Sequence, residues 1–187
     1  MIIPNTYNAM KKLLYLLPAL LLLLCSCTEP EYKTYKVAGL QFEYPSDFKV
    51  EIDEADEEEG VWQLVVYKDD NDLDFARVLI FKYDPEMVAS LGHDEIMDNL
   101  HNICMQMCNN MINDEDYEVS DLSDLSDAEN GDPNTWCFFT AELDGEEVTG
   151  MITSAMLGEY NISTFCCGHD QESGSKMVHV DSSMRKL

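Results

Sequence analysis

Hydrophobic and polar residues alternate along several stretches of the chain after residue 34, and a period of two is typical of half-buried β-strands. Turn-forming residues separate these stretches, among them Gly39, the 69–72 segment and Asp144-Gly145. The pattern predicts strands at 35–37, 40–44, 48–52, 61–67, 75–83, 136–143, 147–156 and 160–167.

The period changes between Asp94, a good N-cap residue, and Ile112, where apolar residues fall on one face of a helix. That face consists of Ile96, Leu100, Ile103, Met107 and Met111. A weaker helical pattern covers 173–187, whereas the acidic run 53–59 and the polar segment 113–134 interrupt the regular patterns and are predicted to be loops. The order of elements predicts an α+β fold, with an antiparallel sheet of about six to seven strands flanked by one long helix and a C-terminal helix.

The first residues of the chain have the pattern of an export signal. Lys11 and Lys12 give it a positive start, and a mostly apolar run follows over 13–24. The run ends in Leu24-Cys25-Ser26-Cys27, which resembles a lipobox, the motif in which the final cysteine receives a diacylglycerol group. We therefore predict a lipoprotein signal peptide at 1–26, a lipidated Cys27 with a tether at 27–33, and a single domain at 34–187. A transmembrane anchor is the alternative, although the run is short for a membrane span.

This interpretation predicts a location. The chain would be lipid-anchored to a membrane in the cell envelope of a bacterium, with its domain facing the periplasm or the exterior. The formal net charge of the whole chain is −26. Removal of the leader, whose only charged residues are Lys11 and Lys12, makes it two units more negative, −28. Such a charge disfavours nucleic acid and anionic lipid surfaces as partners, and it is typical of a solubilising coat.

The start of the predicted domain resembles a known family. The sequence from Gly39 to Val50, GLQFEYPSDFKV, is similar to the entry hairpin of the PsbP-like α/β/α sandwich proteins, which include small bacterial lipoproteins of the DcrB kind. The later order of elements is also similar, including a closing helix with a serine near its end, here Ser183. The resemblance implies a scaffold for binding or assembly, and it carries no active-site residues to this chain.

Cysteines provide the main candidates for chemistry. Five follow Cys27 in the sequence: Cys104, Cys108, Cys137, Cys166 and Cys167. Their odd number leaves at least one thiol unpaired, so we expect either one disulfide between the long helix and the later strands or an entirely reduced set.

Cys104 and Cys108 are four residues apart and share one face of the predicted helix. Met97, Met111 and His101 lie close to that face, and sulfur ligands suit Cu(I) or zinc. The alternative is that these residues fill the core, as cysteine and methionine commonly do. The motif Cys166-Cys167-Gly168-His169-Asp170 could similarly hold a nucleophile or a ligand pair. Adjacent strand residues point to opposite faces, however, which favours one buried thiol and one that is exposed or paired.

Two acidic segments invite a calcium interpretation. Residues 70–74 begin like a calcium-binding loop, but Phe75 replaces the required glycine and Phe81 the bidentate glutamate. A looser set consists of Asp121, Asp124, Asp127, Glu129 and Asp132. Solvated loops are the favoured interpretation of both segments.

The remaining residues contain no recognisable catalytic motif. His93 and His179 have no partner motif, and neither a phosphate-binding loop nor a nucleophile elbow occurs. We therefore predict no cofactor and leave enzymatic activity undecided, with Cys167 and His169 as its only support. The leading hypothesis is a lipid-anchored binding or assembly module that acts through a protein partner in the envelope. The alternative hypothesis is a sulfur-ligated metal or thiol redox protein centred on Cys104 and Cys108.

Overall fold

The computed structural model describes residues 32–69, 71–128 and 131–187, without the side chains of Asn71 and Asp72. Tyr32–Leu187 is one compact unit. The predicted signal peptide and Cys27 lie outside the described residues. No helix among the described residues is long and apolar enough to cross a membrane.

The chain forms eleven strands and three helices over these ranges. In chain order they are β1 (Tyr32–Val37), β2 (Leu40–Pro45), β3 (Lys49–Asp56), β4 (Val61–Lys68), β5 (Asn71–Lys82), α1 (Pro85–Ser90), α2 (His93–Ile112), β6 (Tyr117–Leu122), β7 (Ser126–Asp127), β8 (Asn134–Leu143), β9 (Glu146–Leu157), β10 (Tyr160–Gly168), α3 (Gln171–Ser182) and β11 (Arg185–Lys186).

The strands form two antiparallel sheets. The large sheet has eight strands in the order β3-β4-β5-β10-β9-β8-β6, with β7 paired to β8. The small sheet has the order β1-β2-β11, so the strands at the two ends of the domain flank β2. The last residue is also held there, because the backbone N–H of Leu187 donates to the carbonyl of Gly39 at 3.0 Å.

Each face of the large sheet has its own hydrophobic core, because side chains alternate between the faces along every strand. The small sheet and α3 cover the first face, where Leu40, Phe42, Leu64 and Ile80 are buried. The other face is covered by α2, which packs mainly on β8 and β9. Since α2 lies toward one side of its face, two hollows remain beside it. Both are lined in part by residues of β10, and one is also lined by residues of β5.

The structure confirms the predicted fold class: an α+β architecture with a predominantly antiparallel sheet. The predicted entry hairpin forms β1 and β2, and the three later alternating segments form β8, β9 and β10. The large sheet has eight strands instead of six or seven, because the polar segment 113–134 contributes β6 and β7.

Three predicted boundaries were wrong, and one helix was missed. Residues 53–56 extend strand β3, with a register shift between Ile52 and Glu54, instead of starting a loop. The N-cap of α2 is Gly92, and Asp94 lies in the first turn. Helix α1, which follows the N-cap Asp84, was not predicted. Strand β1 begins at Tyr32, so the last two residues assigned to the tether belong to the domain.

Candidate functional site

A cleft lies between α1, the N-terminal part of α2 and the large sheet. Its volume is about 360 Å³, within the range of small ligand-binding sites. We call it the α1–α2 cleft. Its lining residues are Tyr83, Met87, Val88, Leu91, Ile96, Asn99, Leu100, Asn102, Ile103, Gln106, Met156 and Asn161.

The lining of the α1–α2 cleft is uncharged. None of the described residues that line it is acidic or basic, although the whole chain carries 37 Asp and Glu residues. A neighbouring, more open hollow shares Tyr83 with the cleft but contains Glu57, Glu58, Glu59 and Asp84. Tyr83 therefore lies between the uncharged cleft and a hollow that is lined by these four acidic residues and by Lys82. Depletion of charged residues with enrichment of Met and Tyr is typical of the centre of a protein–protein interface.

Carboxamide side chains supply the polar part of the cleft. Asn99, Asn102 and Gln106 of α2 line it at spacings of three and four residues, which places them along one side of the helix. Each carboxamide can both donate and accept hydrogen bonds without carrying a charge. At the floor, the buried Asn161 donates to the Ser154 hydroxyl at 3.2 Å, so its orientation is fixed.

A smaller hollow of about 220 Å³ lies beside the C-terminal half of α2. It is lined by Met107 and Met111 of the helix and by Phe165 of β10, with Arg77 as its cation. The two hollows lie next to each other along β10. Asn161 lines the α1–α2 cleft, and Ser163, two residues later on the same face of the strand, lines the smaller hollow. Together they follow the length of α2.

Three cysteines meet in the core beneath α2. Cys104, Cys108 and Cys137 are all buried, and their sulfur atoms all lie within 4.8 Å of one another. The Sγ atoms of Cys108 and Cys137 are 3.3 Å apart. We call these residues the three-thiol cluster. Sequence reasoning placed Cys104 and Cys108 together, but Cys137 joins them from β8 through a tertiary contact that no local pattern indicates.

The three thiols affect one another's protonation. Hydrogen bonds from the thiols of Cys104 and Cys137 lower the pKa of Cys108, and the same contacts, together with burial, raise the pKa of Cys104. The physical reason is that a sulfur atom that accepts a hydrogen bond from a neighbouring thiol is favoured as the thiolate, and the Sγ atoms of Cys108 and Cys137 are 3.3 Å apart.

The apolar face of α2 differs from the predicted one. The fully packed residues are Leu100, Cys104, Cys108 and Met111, spaced by four, four and three residues. Ile103 and Met107, predicted as core residues, are only half-buried, and each lines one of the two hollows. The helix therefore directs one side toward the three-thiol cluster and another toward the cleft. His101 is directed elsewhere, with its Nε2 2.7 Å from the carboxylate of Asp127.

Cys166 and Cys167 point to opposite faces of the sheet, as predicted for adjacent strand residues. Both are buried free thiols, however, so the prediction that one of them is exposed or paired was wrong. Burial raises the pKa of Cys167 to about 12, which opposes a role as nucleophile. His169 instead lies with its Nδ1 2.8 Å from the buried carboxylate of Asp74. All five cysteines of the described residues are free thiols.

The described members of the acidic sets that invited a calcium interpretation do not form a group that could share an ion. Within the part of the chain that the structure describes, the three-thiol cluster is the only group of three or more Cys, His, Asp or Glu residues that approach closely enough to share an ion. Asp74 is engaged with His169, and Asp127 with His101. Asp70, Glu129 and the side chain of Asp72 lie outside the described residues.

The remaining histidines also have defined positions. His93 begins α2 and is exposed. His179 of α3 lies with its Nε2 3.2 Å from the carboxylate of Glu43, a partner that the sequence did not indicate.

Comparison with known proteins identifies the fold. No protein-family model matches the chain, and no curated protein matches it in sequence. Among solved structures, the cyanobacterial PsbP protein (CyanoP) of Synechocystis sp. PCC 6803 is similar over 87% of this chain and 96% of its own, with a TM-score of 0.51 and 12% identity. This likeness supports the PsbP-like fold that the Gly39–Val50 segment resembles.

Two further structures are more distant. A protein from Bacteroides thetaiotaomicron VPI-5482 is similar over 83% of this chain, which spans 48% of that protein, with a TM-score of 0.48 and 12% identity. LpqN, which is involved in cell envelope biogenesis of Mycobacterium tuberculosis, is similar over 84% of this chain and 91% of its own, with a TM-score of 0.41 and 11% identity.

Proposed function

We propose that the chain is a lipid-anchored module of the bacterial cell envelope that binds an extended segment of a partner protein in the α1–α2 cleft. The observation that carries the proposal is the uncharged, mainly apolar lining of this cleft in a chain with a net charge of −26. An apolar surface surrounded by charged residues is characteristic of an interaction site.

The chemistry of the lining favours a polypeptide as the occupant. Apolar side chains of an extended segment fit between Met87, Ile103 and Met156, and methionines adapt to the shape of the group they contact. The carboxamides of Asn99, Asn102 and Gln106 offer neutral donors and acceptors to the main chain of that segment. The second hollow continues the surface along α2 and lengthens the segment that the protein can bind.

Helix α1 forms an adaptable wall of the cleft. It has six residues, none of them buried, and Met87 is 45% exposed. Few buried contacts hold it against the sheet, so small displacements of this helix cost little free energy. The cleft can therefore widen to admit side chains of different sizes.

The proposed anchor rests on the sequence. The positive start, the apolar run over 13–24 and the lipobox-like Leu24-Cys25-Ser26-Cys27 support cleavage before Cys27 and acylation of its thiol. Two or three acyl chains bind a membrane stably, at about 0.8 kcal/mol for each buried methylene. Mass spectrometry of the native protein tests the anchor separately: a chain that begins at acylated Cys27 is expected, and an unmodified chain that still carries residues 1–26 contradicts it.

Paired substitutions on α2 test the cleft. Ile103 lines it, whereas Met105, which does not, is 46% exposed on the same helix. A photo-crosslinking amino acid at position 103 should capture one protein in intact cells, and mass spectrometry should locate the cross-link within a single extended segment. Position 105 should capture nothing above background.

A charge placed in the cleft provides the second arm of the experiment. Ile103→Glu should abolish co-purification of the captured protein, and Met105→Glu should leave it unchanged. Circular dichroism checks that both variants are folded. Equal capture at positions 103 and 105, or full recovery with Ile103→Glu, would refute the assignment of the cleft. Neither result bears on the anchor.

A further inference from the structure

We infer that Cys104, Cys108 and Cys137 form a binding site for one Cu(I) ion per chain, coordinated by three sulfur atoms. The site goes beyond the proposed binding of a partner protein, since it occupies the core beneath α2 and shares no lining residue with the α1–α2 cleft.

The spacing of the sulfur atoms fits a common ion. Metal–sulfur bonds of about 2.3 Å place the ligand atoms roughly 3.8–4.0 Å apart around one ion. The three Sγ atoms lie within 4.8 Å of one another, and one pair is separated by 3.3 Å. Small side-chain rotations that move each sulfur atom by a few tenths of an ångström therefore suffice to place all three at bonding distance from one ion.

The site is built on two rigid elements. Cys104 and Cys108 lie one helical turn apart in α2, and Cys137 is in β8, a strand paired on both sides within the large sheet. The helix packs directly on β8 and β9. The ligands are consequently held together before any ion binds, which reduces the entropy lost on coordination.

The chemistry of the ligands selects the ion. Among the described residues no carboxylate or imidazole joins the three sulfurs, and such an all-sulfur set favours a soft ion. Structural zinc takes four ligands, and catalytic zinc keeps a water in the fourth position. Here the described residues supply only three, and the cysteines are 0–1% exposed, which disfavours a water as the fourth. Cu(I) accepts three sulfur ligands.

Core packing alone does not require this arrangement. Cys167 belongs to the same core and is just as buried, yet it lies outside the cluster. A single buried thiol fills space as a small apolar group. Three thiols that converge from two elements also provide a coordination shell.

Proton release accompanies binding. For each Cu–S bond that forms, an S–H bond breaks, and the proton passes to solvent without any change in the oxidation state of sulfur or copper. Because protons compete with the ion, apparent affinity should rise with pH.

A competition titration tests the site. The native protein, purified from membranes in detergent, reduced and kept without oxygen, is titrated with Cu(I) against the chromophoric chelator bicinchoninate. We expect one tightly bound Cu(I), and copper X-ray absorption should show three sulfurs at about 2.3 Å.

Variants identify the ligands. Cys108→Ala should lower the affinity more than about 100-fold, because even the loss of an outer partner of a metal ligand commonly costs 10–100-fold. The matched control Cys167→Ala removes an equally buried thiol from the same core and should change the affinity less than about threefold. Cys137→Ser serves as a near-isosteric second ligand variant, and near-ultraviolet circular dichroism checks that each variant is folded.

Several outcomes would overturn the inference: unchanged affinity in Cys108→Ala, an equal loss in Cys167→Ala, fewer than three sulfurs around copper, or displacement of Cu(I) by equimolar Zn(II). Failure of the reduced protein to bind Cu(I) would also overturn it. Formation of a Cys108–Cys137 disulfide in air by such a protein would indicate a redox pair instead. None of these outcomes affects the proposed binding of a partner protein.

Discussion

Replacement of Gly150 by alanine should destabilise the protein strongly. Gly150 lies in β9, between Phe139 on β8 and Cys167 on β10. A Cβ atom at this position would lie 2.1 Å from the carbonyl oxygen of Cys166 and 2.3 Å from the ring of Phe139. The glycine therefore lets the Phe139 ring lie flat across the strand, where it stacks on Phe165 with ring centroids 5.1 Å apart.

The expected loss follows from these distances. Real Cβ contacts are essentially never shorter than 3.0 Å, so the oxygen must move by almost one ångström, and it belongs to the backbone of a central strand. Insertion of a methyl group into a packed core commonly costs 1–3 kcal/mol, and a rigid obstacle favours the upper end, about 3 kcal/mol. For a domain of this size, the melting temperature should fall by about 6–12 °C.

A second glycine provides a control of opposite sign. Gly174 lies inside α3, and a Cβ atom there would meet only the Thr149 hydroxyl, at an ordinary distance of 3.8 Å. Gly174→Ala should therefore stabilise the protein by about 0.5–1 kcal/mol, because alanine favours the helix. Urea unfolding followed by the fluorescence of Trp62 and Trp136 measures both changes. A Gly150→Ala variant within 0.5 kcal/mol of the wild type, or a Gly174→Ala variant that is equally destabilised, would refute this interpretation of the packing.

Two further predictions concern polar contacts. The hydrogen bond with Asp74 raises the pKa of His169 in the folded protein. The protonated imidazole therefore stabilises the fold fully at a pH below the unfolded-state pKa of about 6.5, and this contribution disappears as the pH rises through the higher pKa of the folded state. Urea unfolding between about pH 5.5 and 8.5 measures how the free energy of unfolding changes with pH. The same pH dependence in the His169→Asn variant would contradict the prediction. Ser183→Ala should cost about 1 kcal/mol, because the Ser183 hydroxyl accepts the backbone N–H of Glu43 at 2.8 Å. Ser175→Ala, which removes an exposed hydroxyl bonded only within its own helix, should be nearly neutral by the same assay.

The sequence predicted those elements whose pattern is strong within a single segment. The strict alternation of 136–167 predicted a meander, and it is one, because each strand has one face in each core. Helix α2 was likewise evident from its period. Its buried stripe was misjudged, since half-buried Ile103 and fully buried Cys104 are equally compatible with an apolar helix face.

The elements that were missed have weak local patterns. Strand β6 lies at the edge of the large sheet, so Tyr117 and Val119 are only half-buried and its other residues are mostly exposed. The acidic end of β3 is also at an edge and fully exposed, which makes it resemble a loop in sequence. Helix α1 contributes no residue to a core, but Asp84 as N-cap with Pro85 at the first position is a helix-start pattern that could have indicated it.

The candidate sites depended on contacts between distant segments. The distance from Cys137 to Cys108 follows from the packing of α2 on β8, which sequence periodicity does not specify. The cleft arises because α2 covers only part of its sheet face. The resemblance of residues 39–50 indicated the architecture, but it provided no information on either site.

Both ends of the compact unit Tyr32–Leu187 lie beside β2, and this position has a practical consequence. Tyr32 pairs with Pro45 at one end of that strand, and Lys186 pairs with Leu40 at the other. A linker that follows the six residues of β2, a length of about 20 Å, can therefore join these two ends without crossing either core. Circular permutants with new ends in the exposed 57–59 turn would move the proposed point of membrane attachment to a different edge of the fold while both candidate sites stay intact.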